Sequence, residues 1–267
     1  MLRKPVVCGQ FYPANARVLR QQIETYLESE VPKKEVRGAV VPHAGYMFSG
    51  SVAGAVYSRI LFPDNFIILG PNHTGMGVPY SIMREGKWQT PLGEVSINSR
   101  LAQKIRQYCP FLEEDEKAHW HEHSIEVQLP FLQNFEKPFQ FVPIVLAGIN
   151  LEVFRSIGTA ISRAIEEGSE KTLVLASSDF THYEPHSVAK EKDRQAINSI
   201  LTLDEEKLIQ EVARYDISMC GQGPCCVMLI ASKALGATEA QLVKYQTSGD
   251  IIGDYSQVVG YAGILVW

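Results

Sequence analysis

Seven histidines, at positions 43, 73, 119, 121, 123, 182 and 186, carry most of the chemistry this sequence can offer. Neutral imidazole donates a lone pair near neutral pH, so histidine is both a common transition-metal ligand and a ready proton carrier. Most of the seven stand where an apolar run has just ended or a helix is about to begin. His43 follows Val40-Val41-Pro42, and His73 follows Ile68-Leu69-Gly70-Pro71-Asn72. Each alone equally suits a histidine that closes a strand and bonds to backbone. Their parallel placement, at the ends of two strands expected to be neighbours, points instead to a shared site at the carboxyl rim of a sheet, where open α/β folds build their crevices.

Further candidates lie downstream. Glu122-His123-Ser124-Ile125-Glu126 sets His123 at a helix start with Glu126 three residues on, where a carboxylate can orient an imidazole from behind. His119 and His121 read as a solvated polar stretch, although the alternation 119-121-123 would align three rings if the chain were extended. Ser177-Ser178-Asp179-Phe180-Thr181-His182 again follows an apolar run. A bond between Asp179 and His182 would fix the tautomer of His182 and raise its basicity as a proton carrier; Asp179 equally suits a turn cap. His186 reads as a surface residue. Cys220 precedes a helix opened by Pro224, a position that lowers a thiol pKa and suits a thiolate ligand or nucleophile. Cys225 and Cys226 read as small core residues. No Gly-x-Ser-x-Gly elbow, Gly-x-Gly-x-x-Gly turn or phosphate loop is present.

The elements that must position these groups alternate between strand and helix. Strands are expected at 38–41, 66–69, 139–147, 172–176, 243–247 and 258–266, with the unbroken apolar runs of strands buried on both faces. Helices are expected at 14–29, 46–61, 99–108, 124–134, 151–166, 187–201, 204–214 and from 224 through Leu235. The small residues Gly50, Ser51, Ala53 and Gly54 would let the second helix lie close on a sheet, and Ser124 would cap the 124–134 helix, bent at Pro130. Residues 88–95 read as a hairpin crossing over the site. No linker or repeat divides the chain, so one α/β domain spanning 1–267 is expected.

Composition bounds the rest. The net charge of −5 and pI near 5.8 give no footprint for nucleic acid. No apolar run approaches the roughly 20 residues that span a bilayer, and Met1-Leu2-Arg3-Lys4-Pro5 leads into no signal-peptide core. Five cysteines without framework spacing fit reduced thiols. A cytoplasmic protein is the expectation, with no membrane and no nucleic-acid partner.

Five ordered motifs resemble the Memo ("mediator of cell motility") family: 41–46, 69–73, 122–126, 177–182 and Cys220-Gly221, within a likeness that runs from Gly9-Gln10-Phe11-Tyr12-Pro13 to Tyr261-Ala262-Gly263. The resemblance implies a prokaryotic protein B of the AmmeMemoRadiSam system, with AMMECR-like and radical-SAM proteins as partners. It implies a fold like the class III extradiol ring-cleavage dioxygenases: a single three-layer α/β/α domain with a mixed, mostly parallel sheet. By that likeness His43, His73 and Cys220 match the metal ligands, His182 matches the acid/base, and His123 and Asp179 match other pocket positions. The implied metal is iron or copper, with zinc an alternative. Cys220 in place of a carboxylate makes a softer donor set than the two-His-one-carboxylate triad, which argues against ring cleavage. The expectation is a metal-dependent oxidoreductase acting on a small molecule or a partner. Two rivals stand beside it. One is a peptide- or protein-binding module using Trp88, Tyr46, Phe180 and Tyr183. The other is a thiol enzyme pairing Cys220 with His182.

Overall fold

The computed structural model describes residues 1–267. Four parallel strands form its centre, in the order Gly38–Val41, Thr172–Ser177, Asn65–Pro71, Gln140–Leu146. All but Thr172 and Gln140 at their starts are buried, which is why these runs read as continuous apolar sequence rather than alternating. Antiparallel strands extend the sheet on both sides: Val258–Val266 pairs with Gly38–Val41, Ala240–Thr247 pairs with Val258–Val266, and Tyr80–Ile82 pairs with Gln140–Leu146. The sheet is therefore mixed with a parallel core, as expected.

Helices cover both faces. Tyr46–Ser58 packs on one face, with Ala16–Tyr26 and Leu129–Asn134 against it; Gln222–Ala234 packs on the other, backed by Leu151–Glu166. The glycines of the Tyr46–Ser58 helix serve a helix contact rather than the sheet contact expected. A Cβ on Gly54 would lie 2.2 Å from the Tyr26 carbonyl oxygen, so only glycine lets the two helices approach this closely.

Two local expectations are corrected. The 124–134 segment is a 3₁₀ turn at Glu126–Gln128 followed by a helix at Leu129–Asn134. Pro130 sits in that helix's first turn, where its missing N–H costs nothing, so it opens the helix instead of bending it. The hairpin Lys87–Thr90/Gly93–Ser96 does not cross the site. It pairs with the amino-terminal strand Leu2–Arg3, and Trp88 is buried between the Arg3 guanidinium and Phe141.

Candidate metal centre

His43 and His73 do not lie on adjacent strands, as the sequence led us to expect. Thr172–Ser177 runs between theirs, so three neighbouring strand ends converge and each delivers part of the site. The two rings still meet, with centroids 5.2 Å apart, and His123 joins them at 5.4 Å from His43 and 4.7 Å from His73. The ligand nitrogens of His43, His73 and His123 all lie within 4.8 Å of one another.

Hydrogen bonds behind the rings decide which nitrogens face inward. The Pro42 carbonyl accepts from Gln128 Nε2 at 3.0 Å, which fixes the amide, and the same nitrogen donates to Ser177 Oγ at 2.8 Å. Ser177 donates its only hydroxyl hydrogen to the Ser124 carbonyl at 2.7 Å. Its oxygen can then only accept, so His43 Nδ1, 2.9 Å away, must carry a proton and its Nε2 a lone pair. His73 follows the same logic through Glu122, whose Oε1 lies 2.9 Å from Nδ1. Second-sphere locks of this kind orient metal-bound imidazoles and set their tautomers.

Charge follows burial and contact. Burial, reinforced by His123 and His73, holds His43 well below its ordinary pKa, and burial also lowers His123. Burial opposes charge on His73 as well, yet the hydrogen bond and charge of Glu122 outweigh it and raise His73. Glu122, though fully buried, is drawn down to about 2 by His73 and the Ser124 N–H. Two neutral imidazoles and one held by an ionised carboxylate make a nitrogen-rich donor set that suits zinc, copper or iron.

The remaining candidates surround this trio. Cys220 Sγ lies 3.3 Å from His43 Nε2 and 3.3 Å from the Asp179 N–H. Its thiol is not lowered by the helix that follows: burial and the Asp179 carboxylate push it well up, so in the metal-free protein it is a neutral thiol. That removes the basis for a free-thiolate nucleophile. Asp179 and His182 do not hydrogen-bond to each other. Asp179 Oδ1 accepts the His43 backbone N–H at 2.8 Å, and burial raises its carboxyl to about 6. His182 Nδ1 donates to the Ser218 carbonyl at 2.8 Å, which leaves its Nε2 as the proton-accepting nitrogen.

Other expectations fail on packing. Glu126 does not orient His123; it is buried and pairs with Arg3 at 2.6 Å, while Glu122 orients His73. His119 is fully buried, bonds Ser81 Oγ through Nε2 at 2.9 Å and packs on Trp88, so rings 119, 121 and 123 do not align. His186 is half-buried against Tyr255 and Thr247. Trp88, Tyr46 and Phe180 are buried, so of the four aromatics expected on a docking surface only Tyr183 is exposed, at 72%. Cys225 and Cys226 lie in the core as expected.

A cavity of about 450 Å³ opens over the three histidines, within the size range of small-molecule sites. Phe11, Phe48 and Tyr261 form apolar wall, Asp179 and His182 the polar side, and no Lys or Arg reaches the lining. No helix is long and apolar enough to cross a membrane.

Known proteins share the whole chain. A MEMO1 family protein of Methanopyrus kandleri is 47% identical over 99% of both chains, and one of Methanosarcina mazei is 45% identical over 99% of both. One of Pyrobaculum aerophilum is 44% identical, covering 100% of this chain and 99% of its own. Among solved structures, an uncharacterised Escherichia coli K12 protein superposes with a TM-score of 0.57 over 86% of this chain and 99% of its own, at 10% identity, a likeness of fold alone. The family model described as Memo-like protein matches residues 3–265, and with relatives of this identity the chain belongs to the Memo family.

Proposed function

We propose that this protein is a metal-dependent oxidoreductase acting on a small, uncharged organic molecule. His43, His73 and His123 hold a transition-metal ion, with Cys220 Sγ beside His43 as a further donor. The observation that carries the reading is the pair of locked tautomers. Ser177 and Glu122 each take an Nδ1 proton, so the His43 and His73 lone pairs both belong to Nε2. Iron or copper fits the donor set and the redox reading; zinc fits the donor set alone.

The ion would supply Lewis acidity and electron transfer at its open side. The chain's own residues do the rest. Phe11, Phe48 and Tyr261 hold an apolar body, and the lack of any cationic side chain in the lining argues against phosphorylated ligands. Asp179 fixes the His43 backbone, and His182 Nε2 accepts or returns a proton at the cavity wall while Ser218 holds the ring. The AMMECR-like and radical-SAM proteins belong to this proposal as the partners served, and their co-purification with this chain tests that part.

Redox function is tested by loading the protein with iron or copper under anaerobic conditions and following the ion's oxidation state by X-ray absorption as oxidant is added. A reversible change in wild type that is lost in His43→Ala supports the proposal. An ion that binds but never changes state leaves a non-redox metal site and refutes it.

A further inference from the structure

The third histidine reaches the site on a loop rather than a strand end; strand ends meet this loop at Ser124, whose carbonyl accepts from Ser177 Oγ at 2.7 Å and whose hydroxyl donates to the Pro71 carbonyl at 3.4 Å. Residues 119–126 run from the end of the short helix Lys117–Trp120 to the start of the Glu126–Gln128 turn, and this stretch carries both Glu122 and His123. Three of its groups are gripped by one residue from the start of the chain. Arg3 Nε donates to the His119 carbonyl at 2.8 Å, Nη2 to the Glu122 carbonyl at 2.6 Å, and Nη1 to Glu126 Oε2 at 2.6 Å. The guanidinium is buried, 4% exposed, and stacks 4.1 Å over the Trp88 ring.

Glu126 returns the grip. Besides Arg3, it accepts the Val6 and Val7 backbone N–H groups at 2.8 and 3.1 Å and the Tyr12 hydroxyl at 2.6 Å. The amino-terminal segment is thereby strapped to the loop over most of residues 3–12. From that strap Phe11 packs edge-on against the His123 ring at 5.0 Å, and Phe11 and Gln10 form part of the cavity wall.

We infer that Arg3 is a positioning residue for the metal centre: its three donors brace the chain on both sides of His123, so the docked amino-terminal strap keeps the third ligand in place. His43 stands on a strand end apart from this loop, while His73, also at a strand end, meets the loop through the Glu122 carboxylate. A planar fork with five N–H donors is needed, because the three acceptors lie on different residues and a lysine ammonium, a point charge on a flexible stem, cannot span them in one geometry. The inference rests on the proposed three-histidine site, and its test separates the two.

The test uses the full chain, wild type beside Arg3→Lys, Arg3→Ala and His123→Ala, with Co(II) as the probe. In metal-free protein, hydrogen exchange is expected to speed up about tenfold or more across 119–126 in Arg3→Lys, while 65–71 stays protected. On Co(II) titration, Arg3→Lys is expected to bind about 10- to 100-fold more weakly, with a visible spectrum changed from that of wild type, as in His123→Ala. Arg3→Ala is expected to show the same or a larger effect if folded, and Arg3→Lys decides if it is not. Unchanged exchange in the loop overturns the inference, as does Co(II) binding like wild type. A weakened site that keeps the wild-type spectrum also overturns it, because the third ligand is then still in place. Wild type that binds no Co(II) refutes the proposed site instead, and the exchange measurement still judges Arg3 on its own.

Discussion

His73 Nδ1 lies 2.9 Å from Glu122 Oε1, and the other oxygen of the same carboxylate accepts the His73 backbone N–H at 2.6 Å. One buried side chain thus fixes both the ring and the main chain of a candidate ligand. With the Ser124 N–H at 2.8 Å, three N–H donors converge on Glu122, and His123 Nδ1 lies 3.5 Å from its Oε1.

Glu122→Gln should therefore be damaging despite its shape. Whichever way the amide turns, its NH₂ meets an N–H donor, and the charge that holds His73 is gone. We expect metal affinity to fall about 10- to 100-fold, measured by chelator competition. An affinity within twofold of wild type would show that Glu122 does not orient His73.

Ser177→Ala removes the acceptor of the His43 Nδ1 proton and leaves the Ser124 carbonyl and one Gln128 hydrogen without partners. We expect a loss of about 1–3 kcal/mol of stability, the range for buried polar groups left unpaired. Long-range ¹H–¹⁵N NMR of metal-free protein should show His43 protonated on Nδ1 in wild type and a mixture of tautomers in the variant. Wild type protonated on Nε2 would contradict the assigned lock.

His119 supplies a pH test away from the metal centre. Ser81 donates its hydroxyl hydrogen to the Asp115 carbonyl, so His119 Nε2 must donate to Ser81. Nδ1 is then buried without a partner, and burial, with the Arg3 charge adding to it, lowers the pKa to about 3. As pH falls below about 6.5 the unfolded chain takes up a proton that the folded chain refuses until about pH 3, so stability drops across that window. His119→Gln should make the fall shallower by about 1.4 kcal/mol per pH unit between pH 6 and 4, measured by urea unfolding. Equal slopes in the two proteins would contradict this.

The sequence showed the alternation of strands and helices and the two histidines at strand ends, because buried parallel strands and the turns after them leave strong local patterns. The strand order was not legible: Thr172–Ser177 sits between the strands of His43 and His73 through pairing alone. The second sphere was hidden for the same reason. Arg3 and Glu126 are 123 positions apart and Gln128 and Ser177 are 49 apart, and no spacing rule links them. Glu126 looked like the orienting carboxylate on helical spacing. A 3₁₀ turn replaces the helix, Glu126 pairs with Arg3, and the orienting carboxylate of the site is Glu122, which holds His73. The run 88–95 likewise reads as a hairpin but carries no sign of the amino-terminal strand that it pairs with.

The most direct test is metal content in protein isolated without oxygen, comparing wild type with His43→Ala, His73→Ala and His123→Ala. About one transition-metal ion per chain is expected in wild type, with loss in His43→Ala and His73→Ala and a weakened site in His123→Ala. Wild type carrying no stoichiometric metal, or His43→Ala retaining the full amount, would contradict the account.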